Sequence, residues 1–426
     1  MQISEYIDQV CNQMRWKKAR TRVAEELTAH ITDSRDAYIA QGYSEAAATT
    51  AAISDTGDAS SLGTGLDRVH RPHPQWGMFA AVAGFLVLGL LSSIFIHDVA
   101  ILSDRFPHSV GLTSVRLAWM AVGIVLMFAA YFVDFSIFGK YPWAIFVSIY
   151  VLIVLVVIMF SVGAYTPFIG LILPLALTIF IFKMKGKGML GVVLSTAVHS
   201  VTCIFATDLG MSMFYHVLIG GFVVLIAAHI KGWFGAGKIV GALPMVISFA
   251  GIAAVGLMQT GINRISIAFN PTQDRLGVGF MGSEVRQLLR GAALLGEGIY
   301  TTRFVPPWDL HSDLQLTAVI YRFGWIPFAI IICAIAAFIV VGFKRCLKQK
   351  SHLGLFVSFA IMVTFTVQVV MYVVYNLGFL FTVISLPFIS PGNSAMVVNL
   401  ILVGFMLSVF RTGDAVTDKD FLPAKV

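Results

Sequence analysis

From Trp76 nearly to the C-terminus, apolar stretches of about twenty residues recur with only short polar breaks, and nothing else in the chain constrains its fold as strongly. A hydrocarbon layer offers no partner to an open backbone, so such stretches are driven into helices that satisfy their own N–H and C=O groups. Ten can be placed, at 77–97, 114–136, 142–163, 166–182, 189–206, 211–230, 238–258, 313–343, 353–377 and 393–410. Composition agrees, with 58% hydrophobic and 12% charged residues and a mean hydropathy of +0.85. A soluble globular enzyme carries about twice that charged fraction and is excluded. The expected class is all-α, a polytopic membrane protein with ten transmembrane helices.

The formal net charge of +7 does not point to nucleic acid, because the basic residues sit in short clusters between apolar runs and no aromatic-interleaved basic surface segment is present. Lys140, the Lys183–Lys185–Lys187 cluster, Lys231 and Lys238, the Lys344–Arg345–Lys348–Lys350 cluster and Arg411 all fall on one side of a ten-span arrangement. By the positive-inside rule that side is cytoplasmic, which places both termini, including a tail at 412–426, in the cytoplasm of a multi-pass cell-membrane protein. The N-terminus lacks the apolar core of a signal peptide, since Glu5 and Asp8 interrupt Ile3 to Val10. Cys11, Cys203, Cys333 and Cys346 show no paired spacing and read as apolar fillers.

Residues 1–75 differ from the rest of the chain, holding 10 of the 22 acidic residues and 8 of the 29 Lys and Arg. Helical spacing of Val23, Leu27, Ile31 and Tyr38, a left-handed stop at Gly42, a cap at Ser44 and a break at Gly57-Asp58 predict a small cytoplasmic helical bundle. Its Arg-rich helix with E-E-L-x-x-H, followed by G-Y-S-E-A-A-A, resembles the prefix domain fused to some Gram-positive permeases and sensor proteins. The remainder, 76–411, is expected to form the membrane domain.

Between the seventh and eighth spans lies a long outward-facing segment, 259–312, rich in charge and with helical spacing from Ser283 to Leu295. Loops of that length in a compact body usually serve function. At its end stands Trp308-Asp309-Leu310-His311-Ser312-Asp313. A carboxylate there can cap the next helix, and one at a lipid–water boundary also has the raised basicity needed to take a proton from a sugar hydroxyl. Arg264, Arg275, Arg286, Arg290 and Arg303 oppose the usual charge bias and, as a group, suit an anionic lipid ligand, because guanidinium matches phosphate geometry. Arg322, within the eighth apolar run, is expected to mark a polar interior. Leu386-Pro387-Phe388-Ile389-Ser390-Pro391-Gly392 reads as a rigid turn into the last span.

Taken in order, five segments resemble the shape, elongation, division and sporulation (SEDS) family, the group of RodA, FtsW and SpoVE, over residues 77–411. They are Thr207-Asp208-Leu209-Gly210; Arg264-Ile265 with Phe269-Asn270-Pro271, Asp274 and Gly277-x-Gly279; Gly296-Glu297-Gly298; His311-Ser312-Asp313 with Ala318-Val319-Ile320; and Leu386-Pro387-Phe388-Ile389-Ser390. The resemblance implies a peptidoglycan glycosyltransferase that polymerises an undecaprenyl-linked disaccharide-peptide precursor at the outer face of the membrane. It implies Asp313 as the catalytic base and inversion at the anomeric carbon. Substrate contacts are expected from Arg264, Arg286, Arg290, Arg303, His311 and Ser390, with a divalent cation (Mg or Mn) as a candidate cofactor and a class B penicillin-binding protein as partner. The chain departs from the family pattern at Tyr321-Arg322-Phe323-Gly324, where an acid-rich G-E-E-L-G is usual, and at Ser390-Pro391-Gly392-Asn393-Ser394-Ala395. A non-catalytic scaffold for a transpeptidase and a lipid-linked precursor flippase are the alternative activities.

Overall fold

A computed structural model describes residues 2–70, 72, 74–97, 109–160, 166–207, 211–299, 313–381, 384–390 and 392–412. Asp208, Arg303, His311 and the tail beyond 412, each singled out from sequence, lie outside the described residues. The described residues divide into two compact units, one of residues up to 74 with 411 and 412, the other of residues 75–410.

The first unit consists of α1 (Ile3–Gln13), α2 (Lys17–Ala40), α3 (Glu45–Thr56) and α4 (Ala59–His70). Its core joins Tyr6, Ile7 and Val10 of α1 to Ile31 of α2 and Ala52 and Ile53 of α3. Gly42 turns the chain with φ 94°, and the Ser44 hydroxyl accepts the Ala47 N–H at the start of α3. Gly57 breaks the chain again, and the Asp58 carboxylate accepts the Ser61 N–H. Gly63 is obligatory in α4, because a Cβ there would sit 2.5 Å from the Val10 carbonyl.

All the regular secondary structure of the second unit's described residues is helical. Its elements are α5 (Trp76–His97), α6 (Ser109–Phe132), α7 (Ile137–Lys140), α8 (Pro142–Phe160), α9 (Thr166–Ile169), α10 (Leu173–Lys183), α11 (Gly188–Phe205), α12 (Ser212–Ile230), α13 (Lys238–Thr260), α14 (Ile262–Phe269), α15 (Phe280–Arg290), α16 (Gln315–Phe323), α17 (Trp325–Leu347), α18 (His352–Asn376) and α19 (Asn393–Thr412). Each of the ten predicted spans contains helix, and among the described residues eight of the helices are long and apolar enough to cross a membrane. The other two, Pro142–Leu155 and Gly170–Lys183, are shorter apolar helices. This is a multi-pass membrane protein. Helices α12, α18 and α19 form its centre and are mostly buried, whereas α13 and α17 turn most of their surface outward. Between α18 and α19 the amides of Gln368 and Asn399 exchange two hydrogen bonds of 3.0 Å, a clamp in a setting where neither can reach water.

One boundary differs from expectation. The eighth span begins at Trp325, not at 313, because Gly324 takes φ 98° and separates α16 from α17. Arg322 therefore lies outside the long apolar helix. It ends the short helix α16 and pairs with Glu297 at 2.9 Å, both side chains partly exposed. Half-exposed pairs of this kind contribute at most about 1 kcal/mol.

Candidate active site

The end of the bundle opposite the lysine clusters is built by irregular segments whose polar groups are tied together. After α13, Gly261 (φ 85°) turns the chain into the amphipathic α14, on which Arg264 is exposed. The next turn is closed by its own side chain, with the Asp274 carboxylate accepting the Val278 N–H at 2.8 Å. A Cβ at Gly277 would strike that carboxylate, and one at Gly279 would lie 2.2 Å from the Pro271 carbonyl. The Asp-x-x-Gly-x-Gly pattern is thus a folding device that aims α15.

Arg286 on α15 is engaged differently from its expected role. Its guanidinium donates to the carbonyls of Ala268 (2.7 Å), Phe269 (2.8 Å) and Gly378 (3.1 Å) and lies 5.0 Å from the Phe379 ring centre. Three of five donors hold backbone from two separate elements, so its geometry is that of a staple and not of an anion ligand. Partial burial and the neighbouring Arg290 push Arg286 below the usual guanidinium range. Arg290 is exposed in the last turn of α15. The Gly296-Glu297-Gly298 turn runs along the junction of α16 and α17, with Gly296 N–H to Phe323 O at 3.0 Å and Gly298 N–H to Tyr321 O at 2.8 Å. Glu297 there meets Arg322, which accounts for the base found where an acid is usual.

Asp313 is half-buried immediately before α16. The N-cap of that helix is Leu314, and the first turn is capped from another helix: Asn376 Oδ1 accepts the Thr317 N–H at 3.0 Å. Asn376 Nδ2 donates to the Asp313 carbonyl at 2.9 Å, and the Thr317 hydroxyl donates to the Asn376 carbonyl at 2.8 Å. The backbone bearing Asp313 is thereby fixed to the end of α18.

Arg116 was not anticipated from sequence. It lies two turns inside α6 and is 4% exposed. It donates to the Ile389 carbonyl at 2.7 Å and to the Ser93 hydroxyl. Among the described residues it forms no ion pair with a carboxylate. Translocon scales put an arginine at mid-membrane about 2.5–3.5 kcal/mol uphill, so such a residue marks a functional site by default. The signal was in the sequence, since Arg116 is the only charged residue of α6, but a span starting at 114 made it look like an edge residue.

The reason for its position is the segment 384–390. Phe388 adopts φ 67°, and its ring packs on Phe338 at 6.4 Å and Phe365 at 5.5 Å. Phe365 lies eleven positions from the Asn376 end of α18 and Phe338 thirteen from the Trp325 end of α17, a depth of about 16–20 Å at 1.5 Å per residue. Non-helical backbone therefore enters roughly halfway through a hydrocarbon core of about 30 Å. Such backbone persists at depth only where protein satisfies it, and Arg116 supplies the donor for Ile389. Gly89 on α5 makes room, since a Cβ there would lie 2.5 Å from the same carbonyl. Ser390 is 3% exposed, and its hydroxyl has no partner among the described residues. Gln315, two positions after Asp313, donates to the Ser92 hydroxyl, while its own Oε1 is buried and unpartnered among the described residues. Gln315, two positions after Asp313, and Arg116, which holds Ile389, thus engage adjacent serines of α5, Ser92 and Ser93, in one buried polar tract. The structure does not bring Arg264 into this tract by any hydrogen bond or ion pair among the described residues. Those residues also contain no group of three or more His, Cys, Asp or Glu side chains able to hold a metal ion.

Residues 168–414 match the profile of a family described as "Cell cycle protein", that of FtsW, RodA and SpoVE. The chain is 25% identical over 361 residues to the stage V sporulation protein E of Bacillus subtilis, covering 76% of this chain and 94% of that protein. It is also 25% identical over 191 residues to the probable peptidoglycan glycosyltransferase FtsW of Trichlorobacter lovleyi, a match spanning 44% of this chain and about half (49%) of that protein. Among solved structures, one from work on "Structural coordination of polymerization and crosslinking by a peptidoglycan synthase complex" superposes with a TM-score of 0.58 at 18% identity, over 80% of this chain and 98% of that one. The Thermus thermophilus rod shape determining protein RodA superposes with a TM-score of 0.54 at 17% identity, over 80% and 97% of the two chains. At these identities the superpositions establish a common fold.

Proposed function

The chain belongs to the cell cycle protein family of FtsW, RodA and SpoVE, and from that premise we propose that it is a peptidoglycan glycosyltransferase acting on a lipid-linked disaccharide-peptide precursor. The observation that carries this reading is the half-buried Asp313, its backbone tied to the end of α18 by Asn376, with Gln315 two positions on reaching the same pair of α5 serines as the buried Arg116. The Asp313 carboxylate accepts the proton of the attacking sugar hydroxyl, whose oxygen bonds to the anomeric carbon as the bond to the diphosphate oxygen breaks. Attack from the face opposite the leaving group inverts that carbon. The diphosphate departs with the electron pair, and basic side chains neutralise its charge. Arg264 and Arg290, both exposed, serve that purpose, with Arg303 and His311 on the segment preceding Asp313. Arg116 holds the re-entrant segment at Ile389, next to the buried Ser390.

In the cell the lysine-bearing end, with both termini and the helical unit 1–75, faces the cytoplasm, and Asp313 faces outward. A class B penicillin-binding protein is the expected partner, in line with the polymerising and crosslinking complex that shares the fold. The decisive experiment supplies the purified chain with undecaprenyl-linked disaccharide-peptide and resolves the product on a gel. Wild-type protein should yield glycan chains and Asp313→Asn none. Equal product from both would remove Asp313 from the mechanism, and no product from either would favour a scaffold.

A further inference from the structure

At the lysine-bearing end, two connections are knitted into one ledge. The loop joining α10 to α11 donates its Gly186 N–H to Trp233 O at 3.0 Å and its Gly188 N–H to Phe234 O at 2.6 Å, both in the loop joining α12 to α13. Gly186, Gly188, Gly232 and Gly235 all take positive φ, which permits two tight turns to lie edge to edge. Trp233 is the floor. Its indole N–H donates to the Ile181 carbonyl at 2.9 Å, and its ring packs on Phe182, Phe356 and His352, so a third basic connection, Lys344 to Lys350, ends against it. The Lys185 ammonium stands 4.9 Å from the centre of that ring. The His229 ring nitrogen Nε2 lies 2.8 Å from the Lys238 carbonyl, which fixes the start of α13.

The ledge displays Lys185, Lys187, Lys231 and Lys238, all exposed, and neither loop contains a carboxylate. Immediately beneath, Leu190, Ile230, Ile239 and Val240 turn apolar side chains outward. Membrane orientation requires only that lysines be present; it does not require a hydrogen-bonded frame that fixes their spacing above an apolar wall. Lysines on a held backbone present their charges at a set spacing to an anion, and the wall beneath accepts acyl chains. We propose that this ledge is a binding site for a phospholipid with an anionic headgroup. The site is remote from Asp313, and its occupation is measured without glycan synthesis, so it stands or falls apart from the activity proposed above.

The test uses the purified full-length chain in detergent, titrated with phosphatidylglycerol, phosphatidylcholine or inorganic phosphate, and read by native mass spectrometry and thermal unfolding. Phosphatidylglycerol should bind and raise the unfolding midpoint, and phosphatidylcholine and inorganic phosphate should not. Each lysine removed should weaken binding about fivefold, the equivalent of about 1 kcal/mol per charge. Lys185→Gln and Lys187→Gln are read singly, because neutralising all four can disturb insertion, and Lys→Arg at the same positions should restore binding. Equal binding of the two lipids, protection by inorganic phosphate alone, or unchanged affinity in both Gln variants would each overturn the proposal.

Discussion

Replacing Arg116 with leucine isolates the part of the site that depends on the re-entrant segment. In the native protein the guanidinium donates to the Ile389 carbonyl at 2.7 Å, in a place water does not reach. Leucine fills a similar apolar volume and relieves the desolvated charge, but it leaves that carbonyl unpaired, at about 1–3 kcal/mol. Phe388 already occupies a left-handed conformation that costs roughly 1–2 kcal/mol and persists because its surroundings hold it there. A loss near 2 kcal/mol confined to 384–390 shifts its ordered and displaced populations about thirtyfold. The helices themselves keep their packing, so the global unfolding transition should move by only a few degrees. Hydrogen exchange on the reconstituted protein should show protection lost at Ile389 and Ser390 while α18 and α19 remain protected. In the glycan assay the same variant should lose at least tenfold in product formation. Arg116→Lys keeps the charge but cannot fork between Ser93 and Ile389, and should fall between the two. Wild-type protection at 384–390 in Arg116→Leu would refute the reasoning, because the carbonyl would then be satisfied without the guanidinium.

The contacts around Asp313 and the outer segment set further expected outcomes. Asn376→Ala removes the cap on Thr317 and the tie to the Asp313 carbonyl, and should destabilise the protein by about 2–4 kcal/mol, seen as a lowered midpoint in thermal unfolding. Arg286→Ala should loosen 262–290, raising its protease sensitivity, whereas Arg264→Ala should leave proteolysis unchanged and reduce only precursor affinity. Glu297→Gln, at a half-exposed pair, should change stability by less than about 1 kcal/mol in denaturant titration. Gly89→Ala drives a methyl into the Ile389 carbonyl and should reproduce the local exchange phenotype of Arg116→Leu without removing a charge.

Hydrophobic runs and turn residues act over a few neighbours, and what they control was legible in one dimension. The ten apolar helices, the helical N-terminal unit, its stops at Gly42 and Gly57 and the cap at Ser44 all follow from local periodicity and backbone freedom. Asp313 was visible because a carboxylate beside an apolar run is conspicuous. Such a carboxylate suggests a helix cap, yet the cap comes from Asn376, 59 residues away from Thr317 in the chain. Arg286 looked like a ligand and Arg322 like the mark of a polar interior because a charge in sequence carries no record of its partner; folding spends one on three carbonyls and the other on Glu297. The contact of Arg116 with Ile389 spans 273 residues and joins a helix to a broken segment at membrane depth. No local pattern encodes it, because the need for that donor exists only once the tertiary fold has carried an unpaired carbonyl away from water.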